Sequence, residues 1–302
     1  KQKIEGNMIP ELEKKLSTFG AEADIFRKKS ADMKRLTRIE KEIQDGTFDT
    51  KEDKEELRAD LIFLYELEGT IKGFGYGEIP WVKELRDARD PEKDMPILFG
   101  CAPEEIVHSA QELQERIVEK KPIQAYVGPL ENGIFGKDGL PRSVEYVYAK
   151  FPGKRILLET ERLGDGPRDG KAFEKAIQNT VVNGQGMQIY RAAKEVLHSP
   201  EFIVSAEGDY DIVELSVEDL GFTSNPRYDK ICERAKELGL ELCPPDMGPS
   251  LRLKDTSARY RIVAMNPLND SDGYPYVFDL DGGDDGLWLN AYVGRSDIVW
   301  DP

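Results

Sequence analysis

The chain has 302 residues, of which 39% are hydrophobic, enough to bury a sizeable core as two domains. A formal net charge of −16 makes the molecule as a whole repel nucleic acid and anionic lipid. No run approaches the roughly 18 to 20 apolar residues of a membrane helix, no signal peptide is recognisable, and the three cysteines Cys101, Cys232 and Cys243 form neither a disulfide framework nor a closed zinc site, so a cytoplasmic protein is expected.

The chain starts on Lys1, which leaves room for an upstream segment. Pro10 to Phe19 predicts a short helix closed by Gly20, and Ala21 to Gln44 a longer one with Phe26, Met33, Leu36, Ile39 and Ile43 on one stripe. That stripe needs a cover, either the next helix, a second copy of the chain or another protein. Between Arg27 and Lys41 basic residues outnumber acidic ones, a positive stripe on an acidic protein and the one place where nucleic acid is weighed. Thr50-Lys-Glu-Asp53 matches a capping box, and the helix it opens carries Leu57, Leu61, Leu64, Tyr65 and Glu68 down one side. Gly73 to Gly77 lacks the strand, helix and lysine of a phosphate loop and reads as a hinge. Pro80 opens a short helix through Trp81, Val82 and Leu85. Pro103-Glu-Glu105 opens another, with Ile106, Ala110, Leu113 and Ile117 buried.

After Lys121-Pro122 the pattern becomes mixed. Ile123 to Val127, Val144 to Tyr148, Arg155 to Glu159 and Tyr210 to Val217 are strand candidates, and helices between them are split at Asn183 to Gly186. Asp219 to Lys254 has the clearest grammar. Asn225-Pro226 predicts a helix start, Ile231, Ala235 and Leu238 its buried face and Gly239 its stop, and after Pro244-Pro245 the alternation Leu251, Arg252, Leu253, Lys254 predicts a strand. The last segment predicts a meander of Tyr260 to Ala264, Tyr276 to Phe278 and Leu287 to Val293, reversed at Asp272-Gly273 and Gly282 to Gly286. Trp300-Asp301-Pro302 approaches what reads as a further strand, so the meander is expected to run on.

Several blocks form a distinctive set: Ala125-Tyr-Val-Gly-Pro-Leu130 with Gly133-Ile-Phe135, Phe151-Pro-Gly153, Ser199-Pro-Glu-Phe202, Asp211-Ile-Val213, Asp219-Leu-Gly-Phe222, Ile231 to Pro244, Gly248 to Leu253, Asp270-Ser-Asp-Gly273 and Gly286-Leu-Trp-Leu289. Glu56 to Leu61 and Pro96 to Cys101 extend them toward the start. Together they resemble an uncharacterised protein family of candidate-phyla-radiation (Patescibacteria/Parcubacteria) bacteria. The resemblance implies no reaction and no catalytic residues.

For chemistry the chain offers little that is pointed. His108 and His198 lie in no motif, and no nucleophile elbow is present. The acidic loop of Asp279, Asp281, Asp284 and Asp285 supplies alternating carboxylates and glycines suited to a hard cation such as calcium, although Gly283 stands where an EF-hand needs a ligand. Periodicity places these four carboxylates on an exposed turn and Trp288 in packing. Trp288, Tyr292 and Trp300 are candidates for an exposed aromatic binding surface.

The expected fold is α+β, with a helical arm over 1–46, a helical region over 47–122, a mixed α/β domain over 123–254 and an antiparallel β-meander over 255–302. The expected function is that of a non-enzymatic binding or regulatory protein, with a protein partner or self-association through the N-terminal helix. The alternative is a carboxylate-dependent hydrolase, with or without a divalent cation near the meander. A deep pocket of convergent carboxylates would favour the enzyme and an open aromatic patch the binder.

Overall fold

The computed structural model describes residues 21–71, 73, 79–283, 286–295 and 298–300. The helix expected over residues 10–19 lies outside them, as does the glycine-aromatic run 73–77 apart from Gly73. The architecture is α+β, and the chain divides into two compact units, Lys1–Ile106 with Lys150–Arg155, and Val107–Ala149 with Ile156–Pro302.

The first unit is helical: α1 (Ala21–Gln44), α2 (Lys54–Leu64), α3 (Pro80–Asp87) and α4 (Pro91–Phe99). The C-terminal part of the α1 stripe finds its cover inside the unit, where Leu36 packs in one buried cluster with Leu64, Ile71, Val82 and Leu85 and Ile39 is equally enclosed, while Met33 is half-buried and Phe26 stays exposed. Polar contacts complete the joint. The Asp60 carboxylate on α2, 0% exposed, takes Arg35 and Arg38 of α1 at 2.8 Å each and Lys51 at 2.6 Å. Two arginines of the positive stripe are thereby engaged by a buried carboxylate. Helix α2 starts later than the capping box predicts. Asp53 accepts from the amides of Glu55 and Glu56, while the Thr50 hydroxyl turns to the Thr47 carbonyl, because an aspartate next to the first turn satisfies two orphan donors at once. Helix α4 is unexpected, although Asp90-Pro91 carries its start signal: Asp90 accepts from the Glu92 amide and Pro91 takes the first helical position.

In the second unit, α5 (Ala110–Val118) begins after a 3-10 turn at Pro103–Glu105 and a short strand β1 (Ile106–Val107), instead of continuing from Pro103. Ser109 restarts the helix by accepting from the Glu112 amide at 3.1 Å, and Glu112 accepts in return from the His108 amide. Strand β2 (Ala125–Val127) runs parallel to β3 (Tyr146–Tyr148), and β4 (Leu157–Leu163) pairs antiparallel with the later strand β8 (Gly208–Glu214). Between these come α6 (Gly170–Asn179), the tight hairpin β5 (Val181–Val182) and β6 (Gln185–Gly186), the strand β7 (Gln188–Ile189) and α7 (Arg191–Leu197). Asn183 and Gly184 turn that hairpin, both with positive φ, so Val181 belongs to a strand and not to a helix end.

Helix α8 (Tyr228–Glu237) buries Ile231 and half-buries Ala235, and Leu238 just beyond its end is fully enclosed. It begins two residues after the predicted Pro226. The Pro226 carbonyl accepts from the Trp300 amide and Arg227 bridges Val299, so the end of the chain holds this stretch extended. The predicted strand over Leu251 to Leu253 is overturned: Met247–Lys254 is a helix, α9, in which Arg252 is fully buried. A four-residue alternation matches a short helix as readily as a strand, and Gly248 decides between them by letting α9 press onto the sheet, where an added Cβ would lie 2.6 Å from that of Phe278.

The C-terminal sheet has the order β10 (Leu268–Asn269), β11 (Pro275–Gly283), β12 (Gly286–Val293) and β7, with β9 (Arg261–Ile262) also on β11. The predicted reversal between β11 and β12 is present, and β7 adds a parallel neighbour at the far side. Phe278, Leu280 and Leu289 are fully buried in the core beneath the sheet, alongside Phe173, Ile177, Val196 and Met247 from the helices.

Candidate functional site on the C-terminal sheet

The strand register sorts residues onto two faces. Opposed pairs in an antiparallel ladder point the same way, so Phe278 with Ala291 and Leu280 with Leu289 share the core side. Val277 with Tyr292, Asp279 with Asn290 and Asp281 with Trp288 take the other. On β9, Ile262 stands opposite Asp279, which brings Tyr260, two residues earlier, alongside Asp281. The second face therefore carries two carboxylates, one carboxamide and three aromatic rings.

Asp279 and Asp281 do not sit on an exposed turn. Strand β11 continues through Gly283, so Asp279 lies inside the ladder and is 4% exposed, while Asp281 is half-buried. Asp284 and Asp285 lie outside the described residues. Burial first and the neighbouring Asp281 second push the Asp279 carboxyl up to about 7, against which a side-chain hydrogen bond with Asn290 works. The Asp281 Oδ1 accepts from the Gly282 amide at 2.8 Å. Tyr260, 54% exposed, has its phenol pushed up to about 12 by partial burial, then by Asp279, Tyr292 and Asp281, so these groups stand within one another's field.

Trp288, Tyr292 and Trp300 separate into two roles. Trp288 is half-buried beside Asp281 and Tyr292 is 37% exposed on the same face. Trp300 stacks on the buried Tyr228 with ring centroids 4.8 Å apart and meets Tyr292 edge-on at 5.6 Å, which makes it a packing partner of Tyr292. The Tyr228 hydroxyl in turn donates to the Met265 carbonyl at 2.5 Å, so this aromatic stack is anchored to the backbone leading into the sheet.

Tyr260, Asn290 and Arg252 are members of this region that sequence reasoning misses. The first two are placed only by register. Arg252 is 0% exposed on α9 and donates to the carbonyls of Asp281, Asp255 and Ser257, the first at 3.2 Å. Its Nε has no hydrogen-bond partner among the described residues, and burial holds its pKa below the usual arginine range, with Asp255 opposing that shift and Arg261 adding to it. Arg252 thus pins the backbone of Asp281 and of the loop before β9 from the core side.

A cleft of about 150 Å³ lies at the hairpin end of the sheet, lined by Val182, Asn183, Gln185, Thr256, Gly283 and Leu287 among others. No carboxylate lines it among the described residues. The histidines are engaged elsewhere: His198 Nε2 lies 2.7 Å from Glu174, and His108 Nδ1 lies 3.1 Å from the Val127 carbonyl. The Cys101 and Cys243 thiols are pushed up to about 11 and Cys232 is raised as well, in each case chiefly by burial, the opposite of what a reactive thiolate needs. Among the described residues, no group of three or more His, Cys, Asp or Glu side chains gathers to hold a metal ion. Also among them, no helix is long and apolar enough to cross a membrane.

Compared with protein-family models, with curated proteins and with solved structures, the chain matches none.

Proposed function

We propose that the protein is a non-enzymatic binding protein and that its ligand docks on the face bearing Tyr260, Asp281, Trp288 and Tyr292. One observation carries this reading: three aromatic rings stand half-exposed or exposed around a carboxylate pair, on the side of the sheet turned away from the core of Phe278, Leu280 and Leu289. Rings that a core needs are enclosed by it, and partly exposed rings beside charge are the composition of a recognition surface. A cytoplasmic setting belongs to the same proposal and is supported by three cysteines that remain free thiols.

A specific observation favours a second reading. Asp279, with its raised proton affinity, beside Asp281 has the make-up of an acid and base pair, as in a carboxylate-dependent hydrolase, with or without a divalent cation. The binding reading is preferred because the Asp279 carboxyl is covered and bonded to Asn290.

A ligand panel of basic and acidic peptides, oligosaccharides and amines, followed by thermal shift and tryptophan fluorescence, tests the proposal. At least one class is expected to raise the unfolding midpoint of the wild type and to leave Tyr260→Ala/Tyr292→Ala unmoved. Release of product from an ester or glycoside substrate, abolished in Asp279→Asn, would establish the hydrolase instead.

A further inference from the structure

Buried carboxylates elsewhere in this protein are matched by partners. Asp60 has three cationic side chains within 2.8 Å, Asp94 has Arg89 at 2.6 Å together with the Tyr65 hydroxyl, and Asp246 accepts from the amide and hydroxyl of Ser205. Asp279 has the Asn290 side chain for its partner and no cation. It is as enclosed as those three, it has a second carboxylate two residues along the same strand face, and among the described residues no lysine or arginine lies at ion-pair distance from Asp279 or Asp281. The nearby cations are committed to the other side. Arg261 stands opposite Leu280 and pairs with Asp255, and the Arg252 guanidinium is turned to backbone carbonyls.

Resting on the binding reading above, we infer that the occupant of this face is a basic segment of a partner protein, which sets a lysine or arginine side chain between Asp281 and the rings of Tyr260, Trp288 and Tyr292. Three features choose this occupant. Carboxylates flanked by aromatic faces are the chemistry that receives an organic cation, by charge and by the ring quadrupoles together. A hard metal ion instead seeks about six to eight oxygen ligands, whereas the described residues of the face offer two carboxylates and one carboxamide among three rings. The face is closed over Val277 and Asp279 and opens where Asp281 meets the rings of Tyr260, Trp288 and Tyr292, so a chain that lays one side chain there and brings its own covering surface suits it better than a free amine. The net charge of −16 steers a basic partner toward the molecule from any direction, and the missing countercharge at Asp281 fixes where it settles.

The test is fluorescence anisotropy of the full chain with a labelled decapeptide of alternating lysine and glycine, beside the same peptide with every lysine acetylated, in a buffer of low ionic strength. The lysine peptide is expected to bind at least tenfold more tightly than the acetylated one. Asp281→Asn is expected to weaken it about tenfold, while Glu201→Gln, an equal charge change at an exposed site, moves it less than twofold. Tyr260→Ala provides the same test without touching a carboxylate, and circular dichroism confirms the fold of each variant. Equal weakening by Asp281→Asn and Glu201→Gln would mean diffuse attraction to an acidic protein and overturns the inference. If the acetylated peptide binds as well as the charged one and Tyr260→Ala abolishes both, the face is a binding surface but not one for cations. If neither peptide binds, the basic partner is excluded, and the ligand panel then decides whether the binding reading survives without it.

Discussion

The Asp279 carboxyl, 4% exposed, is pushed up to about 7 from an ordinary 3.8 by burial first and by Asp281 second. A carboxyl with a raised folded value keeps its proton in the native chain at pH values where the unfolded chain has already lost it. Its contribution to stability is therefore greatest below the unfolded value and is lost as pH rises toward 7, on the order of 4 kcal/mol across the whole range. Asp279→Asn keeps the shape of the side chain and removes the titration. Thermal midpoints of variant and wild type are expected to agree near pH 4, with the variant above the wild type at pH 8, and a constant difference across that range would exclude the assignment. Arg252 acts on the same strand from the core side. Replacing it by Leu strips the carbonyls of Asp281, Asp255 and Ser257 of their donor, at an expected cost of about 3 kcal/mol or more in a urea titration. A variant as stable as the wild type would show that water reaches those carbonyls.

At the scale of the element, α1 is held by both an apolar contact and a charged one. Burial alone would raise the Asp60 pKa, yet Lys51, Arg38 and Arg35 hold it below the ordinary carboxylate range. Asp60→Ala leaves those three cations facing an enclosed space and is expected to cost about 3 kcal/mol, read as a shift of the urea midpoint. At the end of helix α8 the Glu237 and Leu238 carbonyls accept from the Gly133 and Phe135 amides at 2.7 and 2.9 Å, and Leu238 itself is fully enclosed with Ile134, Val144 and Ile231. Leu238→Ala is expected to cost about 2 to 5 kcal/mol, the spread reflecting how far the neighbours can close the cavity.

At the scale of the whole molecule, a charge of −16 means that the native chain repels itself. Raising sodium chloride from about 10 mM to physiological strength shortens the screening length from roughly 30 Å to 8 Å and is expected to raise the unfolding midpoint. The same charge, with Arg35 and Arg38 engaged by Asp60, leads us to expect no binding of a labelled DNA duplex at physiological salt, as measured by anisotropy. What the sequence by itself determined is the α+β class, the long helix from Ala21, the Leu57, Leu61 and Leu64 face, the helix carrying Ile231 and the reversal between the last two long strands. Each of these rests on a signal carried within one stretch: a cap, a 3.6-residue period, or a glycine turn. Only the tertiary structure decided that Met247–Lys254 is a helix with its arginine inward, and that Asp279 faces Asn290 under Tyr260 instead of solvent. Four alternating residues fit either period, and the side of a sheet on which a residue falls follows from its register with strands far along the chain. Both outcomes are therefore set by the fit of Gly248 against Phe278 and by the pairing of β11 with β9 and β12, contacts that no single stretch contains.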